Sequence, residues 1–308
     1  MLDRASSFAR EDVVTMLRED YVPVALDVWY EERRQDEAGA FYRALVAQRE
    51  GLRAGHTTQG FYVARPDGHL LRGWNNRDPD KLARWLREHR KASEPADERT
   101  TAPAAATEVD RRFARRLPEG AVVADVFTRI TDAEWPARDR GWMDEAMRKA
   151  TGRDHLWITA EEIAALARRE VPATLARRIA RFHLVDDTRG EPPMWRQGEL
   201  AEVALAFEPI ADGTAPPALA GHARLATGDG KRRCEAALRG EVAIDENGRL
   251  VRFDLVARCA FAGEGEFTPH APPGTFTLVV AMRLAPPDGQ DRVPPQAARD
   301  LDEYLRAR

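Results

Sequence analysis

From Leu200 to Leu284 apolar and polar residues alternate with a period of two. In residues 232–244, Cys234, Ala236, Leu238, Gly240, Val242 and Ile244 share one parity, and Arg233, Glu235, Arg239 and Glu241 take the other. In residues 251–263, Val251, Phe253, Leu255, Ala257, Cys259 and Phe261 share one parity, with Arg252, Asp254 and Arg258 opposite. Successive strand side chains point to opposite faces, so this pattern predicts half-buried antiparallel strands. Further strands are expected over 121–130, 200–207, 219–227 and 275–284. Helices are expected over 139–150 and 159–169, the second with Thr159 as N-cap and Ile163, Leu166 and Ala167 inward. The tail, 294–308, reads as a short helix with Leu301 and Leu305 packing back. Residues 110–308 are therefore expected to form an α+β domain: a curved antiparallel sheet or partly open barrel with covering helices.

Asp245-Glu246-Asn247-Gly248 separates two of these strands and carries a hairpin signal. If Asn247 and Gly248 are the loop residues, Cys259 faces Ala236 and Cys234 is its diagonal neighbour. If the loop centres on Glu246 and Asn247, the two cysteines face each other. Both registers put Cys234 and Cys259 on the apolar face; a loop of odd length breaks the parity and separates them. Two thiols so placed are expected to behave as small buried hydrophobes, with a redox pair or a soft-metal site as the alternative.

The N-terminal stretch reads differently. Residues 6–19 start a helix, with Phe8, Val13, Val14, Met16 and Leu17 apolar. Residues 21–30, YVPVALDVWY, are largely apolar and predict a strand buried on both faces. Residues 36–49 carry Phe41, Leu45 and Val46 at helical spacing. Residues 59–65 and 69–73 predict two strands joined at Asp67-Gly68. Asp78-Pro79 opens a last helix with Leu82, Trp85 and Leu86 on one face. The expected order is α-β-α-β-β-α. Residues 90–110, RKASEPADERTTAPAAATEVD, have no apolar periodicity and read as a linker. The expected division is 1–92, a linker at 93–109, and 110–308.

The order, the apolar run 22–30, the later FYVARPDGHLL (Phe61 to Leu71) and the closing helix together resemble an α/β thioredoxin-like domain. So does FAREDVVTMLREDYVPVALDV, which is similar to the part that follows the redox helix in that family. The resemblance covers about the first 90 residues and implies a scaffold that in other members carries Cys-x-x-Cys and a cis-proline. Here no cysteine precedes Cys234, and Thr57-Thr58-Gln59-Gly60 stands where the proline is expected. Either the thiol segment lies upstream or the domain has lost it. Disulfide exchange requires a low-pKa thiolate, so the first 92 residues are expected to be a docking scaffold without redox activity.

The densest polar segment is 181–195, RFHLVDDTRGEPPMW, with His183, Asp186, Asp187, Arg189 and Trp195. A histidine followed at three and four residues by carboxylates suits a divalent metal or acid–base chemistry, and equally suits a capped turn with an internal ion pair. The preceding 175–185 fits a helix face and a strand equally well. His222 lies opposite in parity to Leu219 and Leu225, is expected to face solvent, and joins the candidate set. No H-E-x-x-H, glycine-rich phosphate loop or G-x-S-x-G occurs. The Trp residues, seven in all, are expected to pack cores rather than line a pocket.

Composition narrows the classes. Across 308 residues, a 43% apolar and 32% charged mixture with net charge −4 excludes a generally basic nucleic-acid binder. Two cysteines exclude a disulfide framework and a four-thiolate zinc site. No run approaches the ~18 apolar residues of a membrane span, and Met1 to Asp12 hold no apolar leader, so a cytoplasmic location is expected. All but Lys81, Lys91, Lys149 and Lys231 of the basic residues are arginines. The leading expectation is a non-catalytic binding protein for a protein partner or small apolar ligand, with no cofactor, nucleic acid or membrane. The alternatives are a metal-binding protein or enzyme using His183, Asp186 and Asp187, and a thiol redox sensor using Cys234 and Cys259.

Overall fold

The computed structural model describes residues 5–51, 57–90, 117–136, 141–209, 218–286 and 294–307. The chain divides into two compact units, Asp3–Ala114 and Arg115–Arg308. The expected linker, 93–109, lies outside the described residues.

In the first unit, α1 (Glu11–Asp20), α2 (Val28–Glu31) and α3 (Glu37–Ala47) precede the strands β1 (Phe61–Ala64) and β2 (Leu70–Trp74) and the helix α4 (Pro79–His89). The two strands pair antiparallel through a turn in which Gly68, at φ +87°, donates to the Arg65 carbonyl at 3.0 Å. The Asp78 carboxylate caps α4, accepting the Asp80 and Lys81 amides at 2.9 and 3.2 Å, with Pro79 preset for the first helical position. Val13 and Met16 of α1 pack with Val63, Trp74, Leu82, Ala83 and Leu86 as the core of this unit.

The expected strand over 21–30 does not form. Residues 21–27 carry no secondary structure, and Val22 and Val24 are 90% and 70% exposed. A strand requires a neighbour for its backbone groups, and β1 and β2 pair only with each other. Asp27 then caps the Trp29 amide at 3.1 Å and turns the remaining residues into α2. The order among the described residues is thus α-α-α-β-β-α.

The second unit is built on one open antiparallel sheet of seven strands in the order β4-β3-β9-β8-β7-β6-β5. Their ranges are β3 (Val122–Asp132), β4 (Thr151–Ile158), β5 (Leu200–Phe207), β6 (Ala218–Ala226), β7 (Arg233–Ile244), β8 (Leu250–Ala262) and β9 (Thr275–Leu284). Strands β4 and β5 are unpaired edges, so the barrel does not close. Helix α5 (Trp142–Lys149) links β3 to β4; α6 (Ala160–Ala167) and α7 (Ala173–Arg178) follow β4. Thr159 and Glu162 form a reciprocal capping box on α6, a device that contributes about 1 kcal/mol. Ile163, Leu166, Leu175 and Ile179 from these helices bury the inner parity of the sheet, including Val126, Leu238, Leu255, Leu278 and Val280. Residues 175–183 are helical, which decides the ambiguous stretch. The C-terminal α8 (Leu301–Arg306) packs Tyr304 with Val123, Trp157 and Phe182 in a second cluster.

The β7–β8 loop does have odd length: the Asp245 amide donates to the Arg249 carbonyl at 2.9 Å across three residues, with Gly248 at φ +76°. A bulge between Ala243 and Ile244 restores the parity. Cys259 therefore lies opposite Ala236, and Cys234 opposite Phe261.

Candidate functional site

Two places in the second unit gather polar side chains, one under the sheet and one on its outer face.

The first begins where α7 runs into a π-turn, Ile179–His183. The Leu184 amide reaches back five residues to the Ile179 carbonyl at 3.2 Å. The wider turn puts Phe182 and His183 inside; His183 is 2% exposed. Its Nε2 meets the Tyr304 hydroxyl at 3.1 Å, and its Nδ1 lies 3.3 Å from an Asp154 carboxylate oxygen without a well-formed hydrogen bond. The other Asp154 oxygen accepts the Gln296 amide at 2.9 Å. Tyr304 also accepts the Trp157 amide at 3.2 Å, and burial raises its phenol above the usual range.

Arg178, fully buried, fastens α8 behind this group. It donates to the carbonyls of Tyr304 (3.0 Å), Trp157 (3.1 Å) and Leu305, and to Glu162 at 2.8 Å. Asp186 and Arg189 form a second buried pair. Asp186 accepts the Thr188 amide and hydroxyl on Oδ1 at 3.0 and 2.6 Å and two Arg189 N–H groups on Oδ2 at 3.0 and 2.6 Å. Arg189 also donates to the carbonyls of Thr268 and Pro269, so the pair locks the turn to that loop.

Asp187 points the other way. It lies over Gly152 of β4, where any β-carbon would occupy the space of its carboxyl. Burial, reinforced by the nearby Asp154 and Asp186 carboxylates and moderated by Thr128, pushes its pKa up to about 8. At neutral pH it keeps its proton, and its Oδ1 has no hydrogen-bond partner. The gap lined by Thr128, Asp154, Phe182, His183, Asp187, Met194 and Gln296 is too narrow to admit a water molecule. Among the described residues no three His, Cys, Asp or Glu side chains could hold a metal ion.

The structure thus joins two sequence candidates, His183 and Asp187, to Asp154, and ties Asp186 to Arg189. Trp195 is core: its Nε1 donates to the Leu184 carbonyl at 2.8 Å, and the Arg232 guanidinium stacks 4.0 Å from its ring. Cys234 and Cys259 are both buried and in contact, and that contact, with burial, raises the Cys234 thiol. His222 is elsewhere, on the exposed sheet face, paired with Glu202 at 2.7 Å.

That outer face holds the second place. A trough of about 550 Å³ opens over β6, β7 and β8. Ala237 and Ala260 keep its floor low, and His222, Arg224, Glu235 and Arg258 form its walls. Register explains the shape: His222 pairs with Ala237, Ala237 with Arg258, and Glu235 with Ala260, so small and long side chains alternate across the strands. His222 holds the Glu202 carboxyl below its usual range.

Sequence reading missed Asp154, Gly152 and Tyr304, and missed β4 altogether. The core-facing positions of β4 are Gly152, Asp154, Leu156 and Ile158, so the site itself breaks the apolar alternation that marks a strand. The trough had one available signal, alanine at outward strand positions where long polar residues are usual. No family model, no curated protein and no solved structure matches this chain.

Proposed function

We propose that the chain is a non-catalytic binding protein whose recognition surface is the outer face of the seven-stranded sheet. The observation that carries this reading is the trough over β6–β8, open to solvent, with a low alanine floor between charged walls. Binding sites are concave and combine an apolar floor with a few placed polar groups. The buried cluster around Asp187 has the opposite character: its polar groups are enclosed and no reactant-sized space adjoins them. The partner is a polypeptide, since an open trough on a broad sheet face encloses too little of a small molecule. The first unit is a thioredoxin-like module without thiols, serving as a scaffold; the order of its two strands and last helix and the lack of cysteine before Cys234 support that reading.

Amide NMR of the full chain against a panel of short peptides tests the proposal. Shifts should cluster at Ala237, Arg258, Ala260 and His222 and disappear in Ala237→Trp, which fills the trough. Shifts centred on His183 and Asp187, or none on the sheet face, would overturn it.

A further inference from the structure

The trough ends at Arg258, and beyond it the outer face changes character. Arg258 of β8, Val279 of β9 and Arg129 of β3 are successive cross-strand neighbours. The adjoining row is Val256, Ala281 and Phe127, and the row after it is Asp254, Arg283 and Asp125. All of these side chains lie on the parity opposite the larger core cluster; Asp125 is buried, and Phe127 is half-buried with the Arg153 guanidinium 5.8 Å from its ring centroid. Val256 is 46% exposed.

The carboxylates in this block are already engaged. Asp125 pairs with Arg153 at 3.3 Å and lies 3.6 Å from His155, and Asp254 accepts Arg252 at 2.6 Å. The arginines are not: among the described residues Arg129, Arg258 and Arg283 make no ion pair. Glu235 and Asp132, also without ion pairs, lie on the far side of Arg258 and Arg129, away from the apolar row.

Cross-strand neighbours of opposite charge attract, and sheets commonly use them. Here Arg129 and Arg258 have no carboxylate directly opposite, and Arg283, set between Asp254 and Asp125, makes no ion pair with either among the described residues. A guanidinium presents a planar fork that matches a carboxylate in two parallel hydrogen bonds. Exposed apolar side chains rimmed by charge mark a contact surface.

We infer that this face takes an acidic polypeptide segment whose carboxylates meet Arg129, Arg258 and Arg283 and whose apolar side chains cover Phe127, Val256 and Val279. The inference rests on the binding reading above and gives it a partner class. A phosphate backbone would satisfy the arginines but leave the apolar row bare, so charge and apolar surface together select a polypeptide.

Fluorescence anisotropy with the full chain tests this. The probe is a short labelled peptide alternating glutamate with leucine and phenylalanine. The comparison probes are a glutamate-only peptide, the same peptide with lysine in place of glutamate, and a single-stranded oligonucleotide. The first peptide should bind, and added salt should weaken it. Arg258→Glu and Arg129→Glu should each weaken binding about tenfold, and Val256→Asp should do the same. All three positions face solvent or the face itself, and circular dichroism melts confirm that the fold is kept. No binding of the first peptide, or binding indifferent to Arg258→Glu, overturns the inference. If the lysine peptide or the oligonucleotide binds instead and Ala237→Trp or Arg258→Glu abolishes it, the partner class is wrong while the binding face stands. If no probe binds and the NMR panel also leaves the face unmoved, both fall.

Discussion

The two polar places in the second unit are separated by one sheet and differ in every physical respect. Beneath it, Arg178, Asp186, Arg189, His183 and Asp187 are all buried, and nearly every donor and acceptor is used within the fold. Above it, Arg129, Arg258 and Arg283 are exposed and make no ion pair among the described residues. Burying a charged group without partners costs several kcal/mol, so a buried polar cluster is either satisfied or carries its proton. Exposed charges meet no such requirement and are left for other molecules. A dense polar motif in sequence therefore pointed at the scaffold, and the surface with spare chemistry is scattered over three strands.

The sharpest way to break this contrast is pH. The Asp187 carboxyl titrates at about 8 in the folded chain against an ordinary value of 3.8. The sign follows from linkage: a raised folded pKa gives stability that is complete below the ordinary value and is lost as pH rises through about 8. The upper limit of that loss is about 6 kcal/mol. Urea unfolding across this range should show falling stability, and Asp187→Asn should flatten the curve. A slope unchanged in Asp187→Asn would mean that the proton is held elsewhere.

Removing the clamp comes next. Arg178→Ala leaves Glu162 buried without its ionic partner and frees three carbonyls, and should cost about 3–5 kcal/mol in chemical denaturation. A loss below 1 kcal/mol, on the scale of an exposed pair, would contradict the scaffold role. Gly152→Ala sharpens the picture of Asp187. The new β-carbon competes with the carboxyl and should destabilise by about 2 kcal/mol, and much less in an Asp187→Ala background. Additive effects would separate the two residues. The smallest effect is expected above the sheet. Arg258→Glu should change stability by no more than about 0.5 kcal/mol while its consequence for peptide binding is large.

Much of the fold was legible in the residues themselves. The strands from β5 to β9 announced themselves by alternation, because one face is packed and the other is wet. Thr159 marked the start of α6, and His222 faced solvent as its parity required. The strand expected at Val22 to Tyr30 failed because apolar content specifies burial and not a partner, and no neighbouring strand pairs with it. β4 escaped notice because Gly152 and Asp154 sit where apolar residues mark a strand. Asp187 was legible as a candidate, but the buried space its carboxyl fills depends on Gly152, 35 positions away in the chain, and on the absence of a β-carbon there.

The sequence by itself determined the parity of the alternating strands, the capped starts of α4 and α6 and the lack of cysteine before Cys234, since these depend on side-chain identity and spacing along one chain. Tertiary structure alone decided which carboxylates share a space, which arginines go unpaired and where the alanine floor lies. Those outcomes depend on register between strands, and register is set by turns and bulges such as the one at Ala243 that local composition does not reveal.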